Sequence, residues 1–473
     1  MAFNSLSFWI FFSGVFIVYW LIPAKLNMLR KVFLIGVSYL LYMSWKPAFA
    51  LVLLGITVTT FLGAYFLDST EKKKRKRIFA ASLIISLLPL LVFKYYNFIN
   101  DSITDLLLTC GLKVDFPGLN WAIPMGISFY SFQAVGYLFD VHYRRTDVER
   151  SFFDYVLFVS FFPQVTSGPI SKADELLPQI KTPRHFDYEQ AKQGLKFLLW
   201  GAFVKFVIAD RLGMYVDAVF NNYMYYNGST CLLASFFYSF QIYCDFMGYS
   251  LIAIGVARTL GFNLINNFKR PYLAISITDF WKRWHISLTR WLTQNVYIPL
   301  GGNRCSKAKN YLNIMLTFLV SGIWHGANWT FIIWGMIHGV FQVIEKALGW
   351  QKYNGKSLFV RFSRVIVTFI LVTLAWVFFR MPTVSGAVGL ISKAFTNVGV
   401  PSLASVFDGF APVLILAMGL AILIYKELSE EFGYRFATFH RSAVARWVEY
   451  VVLFAMVLSV GVLDGGSFIY VSF

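Results

Sequence analysis

The sequence predicts an all-α polytopic integral membrane protein. Of its 473 residues, 58% are hydrophobic and 19% aromatic while only 14% are charged, and the apolar runs recur at lengths suited to crossing a bilayer. The formal net charge of +18 does not point to nucleic acid, because the Lys and Arg residues lie in short loops between apolar runs, which is the positive-inside pattern. Cys110, Cys231, Cys244 and Cys305 lack metal or disulfide spacing, so no resident metal is expected. No Walker loop, dinucleotide fingerprint, HExxH or GxSxG elbow is present, which excludes the common soluble enzyme classes. No repeat or low-complexity segment divides the chain, and residues 1–473 read as one integral unit.

The first apolar run begins at Leu6 without a basic n-region or a small-residue cleavage site, so it reads as a retained span. Lys25, Arg30 and Lys31 follow it, and EKKKRKR at 71–77 follows the third run. Both loops are therefore expected in the cytoplasm, with Met1 outside. A fourth run at 79–97 leads out, a loop containing Asp101, Asp105 and Asp115 stays outside, and a fifth run at 122–141 returns to Arg144 and Arg145. FFPQVTSGPI at 161–170 is interrupted by Pro163, Gly168 and Pro169; broken backbone at membrane depth is tolerated only in a protein interior or beside water, so a re-entrant segment is expected.

Spans at about 193–209 and 231–257 lead into the most lopsided stretch, where nine Lys or Arg face the single acid Asp279 between Arg258 and Lys309. The stretch after Gly349 carries Lys352, Lys356, Arg361 and Arg364. With both placed in the cytoplasm, the uncharged run from Tyr311 to Gln342 must cross an even number of times. A helix from Tyr311 to Trp324 rises roughly 20 Å, less than the hydrocarbon thickness, so its turn lies inside the membrane. Gly322, Gly326 and Asn328 are expected to break it there. Runs at 365–379, 411–425 and 447–463 complete a bundle of roughly eleven to twelve spans, with re-entrant and interfacial helices besides.

Three constellations carry chemistry. His325, in VSGIWHGANW (320–329), is an ionisable group at membrane depth and reads as functional, whereas His338 does not share its helical face and reads as structural. FWKRWHISLTRW (280–291), drawn as one helix, puts Trp281, Trp284, Leu288 and Trp291 on one face and Lys282, Arg283 and Arg290 on the other. That is an interfacial helix, with His285 on the border from which it can turn inward. Asp245 is the only charged residue from Gly228 to Ala257 and shares a face with Gln241 and Tyr249. A structural ion pair and a catalytic role both fit it. Broken helices with buried His and Asp suit a transporter or flippase as well as an enzyme.

WHGANW (324–329) preceded by FWKRWHISLTRWLTQNVYIPLGG (280–302) resembles the membrane-bound O-acyltransferase family, in the bacterial branch that includes the alginate O-acetylation proteins. GISFYSFQAVGYLFDV (126–141), FFPQVTSGPI (161–170), YCDFMGYSLIAIG (243–255) and SYLLYMSWKPAF (38–49) agree in the same order. The motif-bearing core spans about 1–380, and the C-terminal helices, about 381–473, match only in being hydrophobic. The resemblance implies a helical bundle with a central tunnel and transfer of an acyl group, acetyl in this branch, from a thioester to a hydroxyl. It implies an essential His325 and a second functional position at His285. In the branch serving teichoic acids the group is D-alanyl.

The residues fit that chemistry. A hydroxyl needs a base near its proton, and a desolvated imidazole stays neutral and able to accept it. His325 is the candidate base, with Asn328, a backbone amide or His285 as candidate oxyanion donor; Trp324, Asp245 and Gln241 are candidate supporting residues. The basic 258–309 region offers cations for the phosphates of acetyl-coenzyme A or another acyl thioester arriving from the cytoplasm, with no permanently bound cofactor. A polysaccharide can hardly enter an intramembrane tunnel, so an extracytoplasmic glycan-acylating partner protein is expected. The remaining partner is membrane lipid, in the cytoplasmic (inner) membrane.

Overall fold

A computed structural model describes residues 3–114, 116–353, 357–403, 406–407, 409–433 and 442–462; Met1, Asp115 and Lys356, which entered the topology reading, lie outside them. Among the described residues every regular element is a helix. Seven helices are long and apolar enough to cross a membrane by length and composition alone: Ala24–Met43, Phe49–Asp68, Lys73–Thr109, Gly228–Thr259, Leu358–Arg380, Phe410–Phe432 and Ala443–Val460. Leu6–Leu21 and Val384–Thr396 are apolar but shorter. The larger count drawn from apolar runs also takes in such short helices and the hairpin that carries His325.

The fourth run does not end near residue 97. Helix continues through Lys72–Leu90, a π-turn at Leu91–Tyr95 and Tyr96–Thr109, so Asp101 and Asp105 ride on a helix rather than in a loop. Pro89 lacks the amide that would bond one turn back, and the ladder resumes through the wider turn.

The chain packs as two compact units. The first takes in Leu6–Gly194 and Ala253–Ile265. Its interior holds the broken segment 161–170, every residue of which is buried. Several polar groups at this break are paired inside the protein. Phe162 N donates to Ser38 Oγ at 3.1 Å, Gln133 Nε2 donates to Phe158 O at 2.5 Å, and Ser171 Oγ donates to Gln164 Oε1 at 2.8 Å. Gly126, at φ +72°, packs so closely that a Cβ there would lie 2.5 Å from Val165 O.

The second unit takes in Leu195–Ile252 and the chain from Asn266 onward, and it holds both sequence-predicted histidines. Its frame is the hairpin Lys307–His325 and Trp329–Ala347, flanked by Leu358–Arg380. Gly322 does not break the first hairpin helix, contrary to expectation. It lies within the helix, where a Cβ would meet Phe331 O at 2.4 Å, and Gly335 faces Phe318 O equally closely. These glycines let two helices approach backbone to backbone.

Candidate active site

The hairpin breaks at Gly326. The first helix ends on His325, Gly326 is extended (φ −162°, ψ 155°), and Asn328 caps the second helix by accepting from Thr330 N at 3.0 Å. A Cβ on Gly326 would stand 2.2 Å from the Phe331 ring, so only glycine fits this corner. His325, 2% exposed, is thereby fixed at a helix end among aromatic rings. Trp334 lies edge-on at 4.8 Å between centroids, Trp324 at 4.8 Å and Phe379 at 5.3 Å.

The segment FWKRWHISLTRW is not one amphipathic helix. It forms Ile277–Arg283 and Ile286–Leu292, broken at His285, which sits at φ 42°, ψ 54°. The first piece is started by Ser276, whose Oγ accepts from Asp279 N, and by Glu345, whose carboxylate accepts from Ile277 N and Thr278 N. The second piece is docked by Asn267: Ile286 N donates to its carbonyl at 2.9 Å and Ser287 N to its side-chain oxygen at 3.2 Å. Left-handed backbone is costly for a residue with a Cβ and persists only when its surroundings over-determine it. The break carries His285 from the border of a surface helix to full burial, with 0% exposure.

The two imidazoles thus meet from different elements, their ring centroids 6.4 Å apart. Trp324 touches both, at 5.6 Å from His285 and 4.8 Å from His325, and Phe246 closes the other side of His285 at 4.6 Å. Burial holds the His285 imidazole down at about 3, so the ring stays neutral at physiological pH and offers one N–H donor and one acceptor nitrogen.

A cavity of about 290 Å³ runs among Trp281, Lys282, Thr289, Phe318, Ser321 and Lys346; neither His285 nor His325 lines it, and Thr289 lies one helical turn after His285. Two lysines stand on its wall, and Ser321 lies one helical turn before His325. Sequence order alone does not reveal that the 280–291 segment and the hairpin share this wall.

The other predicted residues fall in three places. Asn328 braces the corner, its side-chain oxygen accepting from Thr330 N and its Nδ2 donating one hydrogen to Pro382 O at 2.9 Å. Asp245 pairs with Lys205 at 2.5 Å, and Lys205 also reaches Asp210 at 2.6 Å, an ionic trio. Gln241 is buried on the same helix, one turn before Asp245. His338 accepts from Trp281 Nε1 at 3.3 Å and props that tryptophan. Sequence reasoning missed Asn267, Glu345 and Lys205; only Lys205, a charge inside the apolar run FLLWGAFVKFVIA, left a signal that could have been matched to Asp245.

Known proteins similar to this chain identify its family. The model of the membrane-bound O-acyltransferase family matches residues 51–381. A protein described as probable alginate O-acetylase AlgI from Pseudomonas syringae pv. tomato is 37% identical over 386 residues, covering 80% of this chain and 72% of that protein. The peptidoglycan O-acetyltransferase of Helicobacter pylori is 34% identical over 396 residues, covering 78% and 74%. The teichoic acid D-alanyltransferase of Bacillus subtilis is 26% identical over 323 residues, covering 64% and 78%. These matches decide for an enzyme over a transporter: the chain belongs to the membrane-bound O-acyltransferase family and is an O-acyltransferase.

Proposed function

We propose that this enzyme moves an acetyl group from a cytoplasmic thioester, acetyl-coenzyme A or a similar donor, to a hydroxyl of an extracytoplasmic polysaccharide or of a relay protein that acylates it, working in the cytoplasmic membrane. The observation that carries the reading is the buried imidazole pair, together with a cavity that has lysines on its wall and is lined by Thr289 and Ser321, each one helical turn from one of the two histidines. The names of the relatives at 34–37% identity, which are acetylases, favour acetyl over D-alanyl.

In this mechanism the donor's phosphates meet Lys282 and Lys346, and its acyl end lies along the cavity toward Ser321. His325 accepts the proton of the acceptor hydroxyl as its oxygen attacks the thioester carbonyl. A neutral His285 donates its N–H to the oxyanion. The C–S bond then breaks, and the proton held on His325 passes to the departing sulfur, which leaves as a thiol. The aromatic cage excludes water that would otherwise hydrolyse the thioester.

Deleting the gene and comparing ester-linked acyl groups on surface glycans by mass spectrometry tests this. Loss of acetyl esters is expected, restored by the wild-type gene but not by His325→Ala. Loss of D-alanyl esters instead would transfer the reading to the teichoic-acid chemistry, and an unchanged ester profile would refute it.

A further inference from the structure

The family match ends at residue 381, yet a carboxylate well beyond it is tied to the segment that carries His285. Glu431, near the C-terminal end of the helix Phe410–Phe432, receives a two-pronged contact from Arg283, whose Nη1 lies 3.0 Å from Oε2 and Nη2 3.2 Å from Oε1. The same carboxylate accepts from Arg270 Nε at 2.8 Å and Arg361 Nη2 at 3.0 Å. Its side chain is only 8% exposed, and guanidinium pairs of this forked kind are the strongest and most directional available to a protein.

What these arginines flank gives the cluster its meaning. Residues 267–270 and 283–287 run side by side, joined by Lys269 N to Arg283 O at 2.9 Å, Ile286 N to Asn267 O at 2.9 Å and Ser287 N to Asn267 Oδ1 at 3.2 Å. Arg270 stands at one end of this pairing and Arg283 beside it, with His285 in the turn between the bonds. Both Arg270 (φ 50°) and His285 (φ 42°) hold left-handed backbone, which relaxes unless something restrains it. The helix Phe410–Phe432 adds a second tie, Tyr243 Oη donating to Glu427 at 3.0 Å, and the Tyr243 ring lies 6.1 Å from that of Trp284.

We propose that Glu431 is a positioning residue: by clamping Arg270 and Arg283 together it holds the strained turn that presents His285 to the reaction. The proposal rests on the reading of His285 as a group acting in acyl transfer, and it assigns the C-terminal helices a part in the active site.

The test uses the full-length chain in membrane vesicles with labelled acetyl-coenzyme A as the donor probe. Glu431→Gln should lower kcat about tenfold to a hundredfold, the cost of a misplaced reacting group, while the KM for acetyl-coenzyme A moves less than about threefold. Glu431→Asp, which keeps the charge, should recover part of that loss, and Glu430→Gln, which alters a contact with Arg270 and Lys426 but leaves the Arg283 fork in place, should stay within about twofold of wild type. Hydrogen exchange should quicken at 283–287 in Glu431→Gln and stay unchanged across 307–347. A fully active Glu431→Gln beside an inactive His285→Ala would overturn the clamp alone. Faster exchange throughout the hairpin would overturn it too, leaving Glu431 a residue of general stability. A fully active His285→Ala would overturn the underlying reading of His285, whatever Glu431→Gln does.

Discussion

The ionic trio of Lys205, Asp210 and Asp245 and the imidazole pair of His285 and His325 are two solutions to one problem, polar side chains buried where water does not reach. In the trio a lysine lies between two carboxylates at 2.6 and 2.5 Å, all three nearly inaccessible. One cation bridges two carboxylates there, and removing it strands both. The imidazoles are packed instead against the rings of Phe246, Trp324, Trp334 and Phe379. Burial there holds the His285 ring neutral. On the function proposed above, the difference teaches where reactivity is kept: charged groups build the frame, and buried imidazoles are left to do chemistry.

The comparison breaks most sharply at His325. His325→Ala should lower acyl transfer about 10²- to 10⁴-fold, the usual worth of a positioned base, while the protein remains folded and donor affinity shifts less than about tenfold. Rates and binding of acetyl-coenzyme A measured on the same membranes check both halves. Near-normal transfer would remove His325 from the chemistry.

Lys205→Met attacks the other region, and its effect should appear in stability. It leaves two carboxylates buried together without their cation, a loss of about 3–5 kcal/mol, read as a lower melting temperature in detergent. Such protein as folds should keep its activity per molecule. A stably folded but inactive Lys205→Met would give the trio a chemical role and support the catalytic reading of Asp245.

Both histidines were legible in the sequence: His325 is an ionisable group in a long uncharged run, and His285 stands at the border of a tryptophan-rich face. Their meeting was not. FWKRWHISLTRW contains neither Gly nor Pro, so nothing local foretells a break at His285; the break is imposed by Asn267, whose carbonyl and side chain take the amides of Ile286 and Ser287. That contact spans a loop, and helical periodicity carries no information about it. The hairpin corner shows the opposite case. Gly326 and Asn328 act through local backbone and capping chemistry and were readable, whereas Gly322 answers to the neighbouring helix and was assigned a helix-breaking role it does not have.

His285 provides a smaller and more graded test. His285→Ala should cost about 10²- to 10³-fold in rate if the ring donates to the oxyanion, and His285→Gln, which retains a donor, should recover part. Burial holds the native ring at about 3 against an ordinary 6.5. Between those values the unfolded chain binds a proton that the folded chain refuses, so stability present above about pH 6.5 is lost as the pH falls toward 3. The melting temperature should therefore drop from about pH 7 to about pH 5, and drop less in His285→Gln. Equal drops would mean that His285 is not held neutral by the fold.

The smallest effect is expected at His338, and it decides whether the contrast concerns histidine or position. His338 is as buried as His285 and shares Trp334 with His325, its ring 5.0 Å from that indole. Yet its Nδ1 is occupied by the Trp281 indole N–H, and it stacks within a cluster of Phe280, Trp281 and Phe318. Its work is to prop Trp281, which lines the cavity. Stranding the buried Trp281 N–H and leaving a cavity costs about 2–3 kcal/mol, so His338→Ala should lower the melting temperature by several degrees and leave transfer, per folded molecule, within about threefold to fivefold of wild type. Because Trp281 borders the cavity, the residual loss should fall on the KM for acetyl-coenzyme A more than on kcat. A loss in kcat matching that of His325→Ala would show that burial among tryptophans, and not proximity to His285, marks the catalytic imidazole.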